Sequence, residues 1–155
     1  MPSALHVKAA AGREIVDITP ERAGWTHVGF RALRMARGES ERVTSGEREL
    51  CVVVLSGRMA VTVDGQALGV LGERASVFED IGPASVYVPR GHTVQIEAVT
   101  DGELALCSAP ADEVPRAVRV ISPAETRHSV RGQGSNQRFV CDILPHDDQI
   151  GRAHV

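Results

Sequence analysis

At 155 residues the chain is long enough for one domain with its own core and short for two. With 43% apolar residues, 24% charged residues and a net charge of -3, it reads as an ordinary soluble globular protein, which excludes a fibre or a disordered tail. Seventeen Lys+Arg and twenty Asp+Glu are scattered without a basic run, which excludes an electrostatic footprint for nucleic acid.

The N-terminal "MPSALHVKAAAG" has no apolar segment of signal-peptide length behind a basic start. No run in the chain approaches the roughly 20 apolar residues of a membrane span, so a cytoplasmic address without a membrane partner is expected. Alternating or β-branched segments then recur: "EIVDI", "WTHVGFRALRM", "ELCVVVLS", "MAVTVD", "SVFED", "SVYVP", "TVQIEAV", "ELALCS", "AVRVI" and "RFVCDI". Turn-formers separate them, among them Gly38, Gly46, Gly57, Gly72, Gly82-Pro83, Pro89-Arg90-Gly91 and Asp101-Gly102. Short strands at this spacing predict an all-β sandwich or barrel. Val63-Asp64-Gly65-Gln66 is the clearest hairpin, because Asp-Gly accepts the positive φ of a type I′ turn. Two short helical turns are predicted at Thr19-Pro20-Glu21 and Ser122-Pro123-Ala124-Glu125, the second with a Ser-x-x-Glu capping box. The odd count of Cys51, Cys107 and Cys141 argues against a disulfide framework, and Cys51 and Cys107, in the apolar runs "LCVVVL" and "LALCSA", are expected to be reduced core residues.

A catalytic metal needs about three converging His, Asp, Glu or Cys side chains with one position left open. The punctuation of this chain resembles that of cupins, metal-binding barrels whose first motif runs Gly, five residues, His-x-His, three or four residues, Glu, six residues and Gly. Gly38 and Gly57 anchor that frame, and the ligand positions then fall on Thr44, Gly46 and Leu50. Glu49 is the nearest carboxylate, but alternation turns it away from Leu50, Val52 and Val54. In "YVPRGHTVQIEA" the second-motif histidine position holds Val94, while His92 stands two residues earlier without partners. The six histidines, at 6, 27, 92, 128, 146 and 154, contain no His-x-His. No catalytic residue and no metal ligand is therefore assigned to this chain.

"RGQGSNQR" packs Arg131, Gln133, Ser135, Asn136, Gln137 and Arg138 into eight residues. Arg131, Asn136, Gln137 and Arg138 are candidates for substrate binding or for an inter-domain contact. Arg offers a bidentate fork and Asn and Gln both donate and accept, which suits a carboxylate or polyol. A plain surface turn is the competing reading.

The succession "GWTHVGFRALRMARGES", "GERELCVVVLSGRMAVTV", "LGERASVFEDIGPASVYVPRGH", "ELALCSAP" and "RGQGSNQRFVCDILP" resembles the amino-terminal half of the 5-deoxy-glucuronate isomerase family, related to the 5-keto-4-deoxyuronate isomerases. The resemblance runs from about Gly24 to Pro145. It implies a cupin-type double-stranded β-helix, a small jelly-roll barrel that is one of the two barrels of a bicupin. It also implies an aldose-ketose isomerisation of a deoxyuronic acid in inositol catabolism, with the divalent metal in the second cupin. The expected organisation is an N-terminal extension at 1–23, a metal-free barrel at 24–144, and a linker or the start of a missing second cupin at 145–155. On this reading the chain is a fragment or truncated product, catalytically silent alone, whose partners are the second cupin domain and copies of itself in a homo-oligomer. Two other readings stand beside it: a stand-alone barrel that binds a sugar acid through Arg131–Arg138 or dimerises, and an independent metal enzyme built on His92 with His27 or His128.

Overall fold

The computed structural model describes residues 6–144. Among them are twelve strands: β1 (Glu14–Ile18), β2 (Gly29–Met35), β3 (Ser40–Thr44), β4 (Arg48–Ser56), β5 (Met59–Val63), β6 (Gln66–Leu71), β7 (Ser85–Val88), β8 (Thr93–Ala98), β9 (Gly102–Pro110), β10 (Arg119–Ile121), β11 (Arg127–Arg131) and β12 (Arg138–Asp142). A four-residue helix, α1 (Pro20–Ala23), follows β1. A six-stranded sheet in the order β1-β2-β9-β4-β7-β10 faces a four-stranded sheet in the order β3-β8-β5-β6, and β11-β12 form a separate hairpin.

The alternation that predicted the strands also decides what they enclose. Leu33 and Met35 of β2, Leu50, Val52 and Val54 of β4, Val86 and Val88 of β7, and Leu104 and Leu106 of β9 point inward from the large sheet. Met59, Val61 and Val63 of β5 meet them with Val94, Ile96 and Ala98 of β8. Each such side chain, when fully buried, contributes roughly 1.5–3 kcal/mol. A one-residue slip in any of these strands would turn its apolar set to water, so the register is strongly specified.

The local signals operate as expected. Asp64 has φ 49° and Gly65 φ 81°, so the β5-β6 turn has positive φ at both central residues. The Thr19 hydroxyl accepts from the Arg22 N–H at 3.3 Å at the start of α1. Ser122 and Glu125 form the capping box around a 3-10 turn at Pro123–Glu125.

"SVFED" is not a strand, and the reason is local. Glu79 Oε1 accepts the backbone N–H groups of Ala75 and Ser76 at 2.8 and 3.0 Å, and Ser76 Oγ accepts that of Phe78 at 3.2 Å. These side chains take donors that a ladder would need. Conversely β3, β6 and β11 form from "SERVT", "QALGVL" and "RHSVR", segments too polar or too glycine-broken to announce themselves. β3 and β6 are the edges of their sheet, held by the neighbour's ladder and not by their own apolar pattern. Residues 14–18, set within the expected extension, pair with β2 and so complete one edge of the barrel sheet. The linker expected at 145–155 lies outside the described residues. No helix among the described residues is long and apolar enough to cross a membrane.

Candidate functional site

Register builds the barrel mouth. Asp17 stands opposite Arg31, Arg31 opposite Leu106, Leu106 opposite Val52, and Val52 opposite Val86. Directly paired residues share a face, so this row runs from charge at the sheet edge to hydrocarbon at its centre. The next row outward holds Gly29, Ser108 and Leu50, and Arg48 shares the face of Leu50 two residues away. Here the barrel opens into a cavity of about 280 Å³. Val43, Leu50 and Leu106 form its apolar wall, and Asp17, Glu21, Arg31 and Arg48 line its rim.

The rim charges are held in different ways. Arg31 donates to Glu14 Oε2 at 2.9 Å and to Glu41 Oε1 at 3.2 Å. Burial works against its charge, but the two carboxylates outweigh that and raise its pKa. Arg48 is anchored through neutral acceptors: its Nε donates to Ser108 Oγ at 3.2 Å, and Nη2 donates to the carbonyls of Ser108, at 3.1 Å, and of His27. The close approach requires glycine at 29, where a Cβ would sit 2.6 Å from Ser108 Oγ. Asp17 Oδ2 accepts from Arg22 Nη1 at 2.9 Å, while Oδ1 is buried without a hydrogen-bond partner. The Glu21 carboxyl is held below its usual range, chiefly by its own backbone N–H and then by the Thr19 side chain.

Thr44 and Leu50, two of the three positions where the cupin motif places ligands, line this cavity. The third, Gly46, has φ 59° and accepts the Gly91 N–H at 2.8 Å in the turn below β3. A hydroxyl, a glycine and an isobutyl group do not make a metal donor set. The histidines stand apart: His92 Nδ1 lies 2.6 Å from Asp64 Oδ2, His27 Nδ1 lies 2.6 Å from Thr26 Oγ1, and His128 Nε2 lies 3.1 Å from Thr126 Oγ1. No group of three or more His, Cys, Asp or Glu among the described residues can hold a metal ion. The described residues of this barrel do not offer a cupin metal its donor set, and no chemical step is derived through one.

Glu49 is part of the cavity lining, but its carboxylate turns to the other face, as alternation requires. It is buried on the outer face of the large sheet, where Tyr87 Oη donates to its Oε2 at 2.9 Å. Arg116 and Asp112 lie over the same face, with Arg116 Nη2 2.9 Å from Asp112 Oδ2. Burial pushes the Tyr87 hydroxyl well up, and the hydrogen bond and negative charge of Glu49 push it further.

Arg131, Asn136, Gln137 and Arg138 come together, but away from the mouth. Arg131 ends β11 opposite Arg138, and Asn136 closes a 3-10 turn at Gly134–Asn136. All four side chains are exposed, and Arg131 donates to Asp142 Oδ2 at 3.0 Å. None of the four lines the mouth cavity. Beside them the same hairpin exposes Phe139 by 83% and Val130 by 56%, and a groove runs from these two to Val77 and Ile81. Asp17, Arg31 and Arg48 were not singled out from the sequence. A signal was present nonetheless: Arg31 and Arg48 are charged residues with the parity of their strands' inward side chains, Leu33 and Leu50.

The model of the KduI/IolB family matches residues 4–154 of this chain. A 5-deoxy-glucuronate isomerase of Geobacillus kaustophilus is 38% identical over 131 residues, which are 84% of this chain and 47% of that protein. One from Listeria monocytogenes serotype 4a is 32% identical over 149 residues, 94% of this chain and 54% of that protein. The chain thus spans about half the length of the curated relatives it matches. The crystal structure of an IolB-like protein from Salmonella typhimurium LT2 superposes with a TM-score of 0.83 at 41% identity, covering 90% of this chain and 53% of that one. A cupin protein from Bacteroides fragilis shares the fold, with a TM-score of 0.52 at 15% identity over 76% of this chain and 92% of that one.

Proposed function

The chain belongs to the KduI/IolB family, and from that premise we infer that it is the amino-terminal cupin half of a 5-deoxy-glucuronate isomerase, a barrel that supports catalysis without performing it. The observation that carries this reading is the donor set: Thr44, Gly46 and Leu50 occupy the places where a cupin holds its metal. An aldose-ketose isomerisation needs a base to move a proton between adjacent carbons and a group to polarise the oxygen. On this reading both reside in the other half of the full-length protein, together with the divalent metal.

The partner half docks on the β11-β12 hairpin. A two-stranded hairpin is at best marginal alone in water, and this one displays Phe139 and Val130 beside Val77 and Ile81. The relatives' remaining length, roughly as much again as the matched part, supplies a domain of the size to cover that face. Arg131, Asn136, Gln137 and Arg138 then form the polar rim of the contact, and a chain without that cover associates with itself through the same surface. The test is an isomerase assay of this 155-residue chain with 5-deoxy-glucuronate and added Mn²⁺, Zn²⁺, Co²⁺ or Mg²⁺. No turnover above the metal-only blank is expected; metal-dependent turnover overturns the reading.

A further inference from the structure

The barrel mouth, though it lacks a metal donor set, has the composition of a small-molecule site, and nothing in the packing of the chain accounts for all of its polar atoms. Arg48 spends Nε and Nη2 on three neutral acceptors, Ser108 Oγ, the Ser108 carbonyl and the His27 carbonyl. Its Nη1 edge is not used by those bonds, and no carboxylate among the described residues forms an ion pair with it. Asp17 offers the opposite: one oxygen is satisfied by Arg22, the other is a buried acceptor without a donor. Buried acceptors normally find a partner. Arg48 and Asp17 both line one cavity whose inner wall is the hydrocarbon of Val43, Leu50 and Leu106, although Asp17 Oδ1 itself is closed to solvent.

The charge balance of the rim selects among ligands. Arg31 is already matched by Glu14 and Glu41. Against Arg48, which forms no ion pair among the described residues, stand the carboxylates of Asp17, held by Arg22, and of Glu21, which the Arg48 charge helps to hold below its usual range. A carboxylate ligand would gain Arg48 but face negative charge across the opening. A neutral polyhydroxylated ring satisfies both signs, because each hydroxyl donates to a carboxylate or accepts from a guanidinium. Its C–H face lies against leucine and valine, the pairing of apolar wall and few polar anchors typical of small-molecule pockets. A cavity of about 280 Å³ admits one such ring.

We propose that the mouth of this barrel binds a neutral monosaccharide or cyclic polyol, its hydroxyls bridging Arg48 Nη1 and the carboxylates of Asp17 and Glu21 over the Val43, Leu50 and Leu106 wall. This site is separate from the exposed Arg131–Arg138 cluster and does not depend on where catalysis resides.

The test uses a matched pair of probes, D-glucose and D-glucuronate, which have the same ring and differ in the charge at C6. Each is titrated into the ¹⁵N-labelled 155-residue chain, following the backbone amides and the Arg48 Nε–H by NMR. Glucose is expected to shift Arg48 Nε–H and the amides of Asp17, Leu50 and Ser108, leaving Arg131–Arg138 unmoved, and glucuronate to bind more weakly. R48Q and D17N are each expected to weaken glucose about tenfold, the weight of one hydrogen bond to a charged group; R131Q is expected to change nothing. The wild-type shift map decides even if a variant fails to fold. Glucuronate binding as tightly as glucose or tighter, shifts centred on Arg131–Arg138, or no shift with glucose would each overturn the proposal.

Discussion

Replacing Tyr87 with phenylalanine removes one oxygen and leaves the buried ring in place. The lost oxygen donates to Glu49 Oε2 at 2.9 Å, and the two residues are 2% and 8% exposed. A hydrogen bond to a charged group contributes about 1.5–3 kcal/mol, and an acceptor left buried without its donor puts the cost toward the upper end. For a domain of this size each kcal/mol moves Tm by roughly 2–4 °C, so Y87F is expected to lower Tm by about 5–10 °C. Removing both polar groups in Y87F/E49L recovers part of the loss, because no carboxylate then remains buried unpaired. The hydroxyl also links stability to pH. Its folded pKa lies above the ordinary 10.0, so its contribution is fully present below pH 10 and is lost as pH rises through the folded value. Y87F therefore flattens the alkaline limb of stability. Thermal melts followed by far-UV circular dichroism between pH 7 and 11 measure both effects. A Tm within about 1 °C of the wild type, with an unchanged alkaline limb, would refute the reasoning.

Thiol chemistry separates the three cysteines: Cys141 is exposed, whereas burial pushes Cys51 up to about 12 and also raises Cys107. Maleimide labelling of the native chain at pH 8 should give one fast site, lost in C141S, and two sites that react only on unfolding; three equal rates would contradict the burial of β4 against β9. At the other end of the pH scale, the Thr93 N–H and then His92 hold the exposed Asp64 carboxyl below its usual range. Its contribution is present above the ordinary 3.8 and is lost as pH falls through the folded value, so D64N should flatten the acid limb below about pH 4. Asn keeps the positive φ of the turn tolerable, and an acid limb identical to the wild type would show that the Asp64 contact carries no stability.

Much of the barrel can be read from single segments. "ELCVVVLS" and "TVQIEAV" declare strands and inward faces because side chains alternate, and Asp64-Gly65 declares a hairpin because few residue pairs accept its backbone. The metal question was also local: the glycine frame around Thr44, Gly46 and Leu50 fixes which side chains stand where ligands would. What failed locally was decided elsewhere. "SVFED" has strand-forming residues, yet Glu79 and Ser76 bond to their own backbone and spend its donors; "SERVT" lacks an apolar stripe, yet β8 supplies the ladder.

Alternation and turn-formers determined the all-β fold and the hydrocarbon interior, and the spacing from Gly38 to Gly57 determined the departure from a metal-binding motif, since each depends on residues close together in the sequence. The mouth was decided only in three dimensions. Asp17, Arg31, Arg48 and Ser108 come from four strands, and their meeting depends on cross-strand register and on the packing of α1 over the opening, quantities that no single stretch of chain encodes.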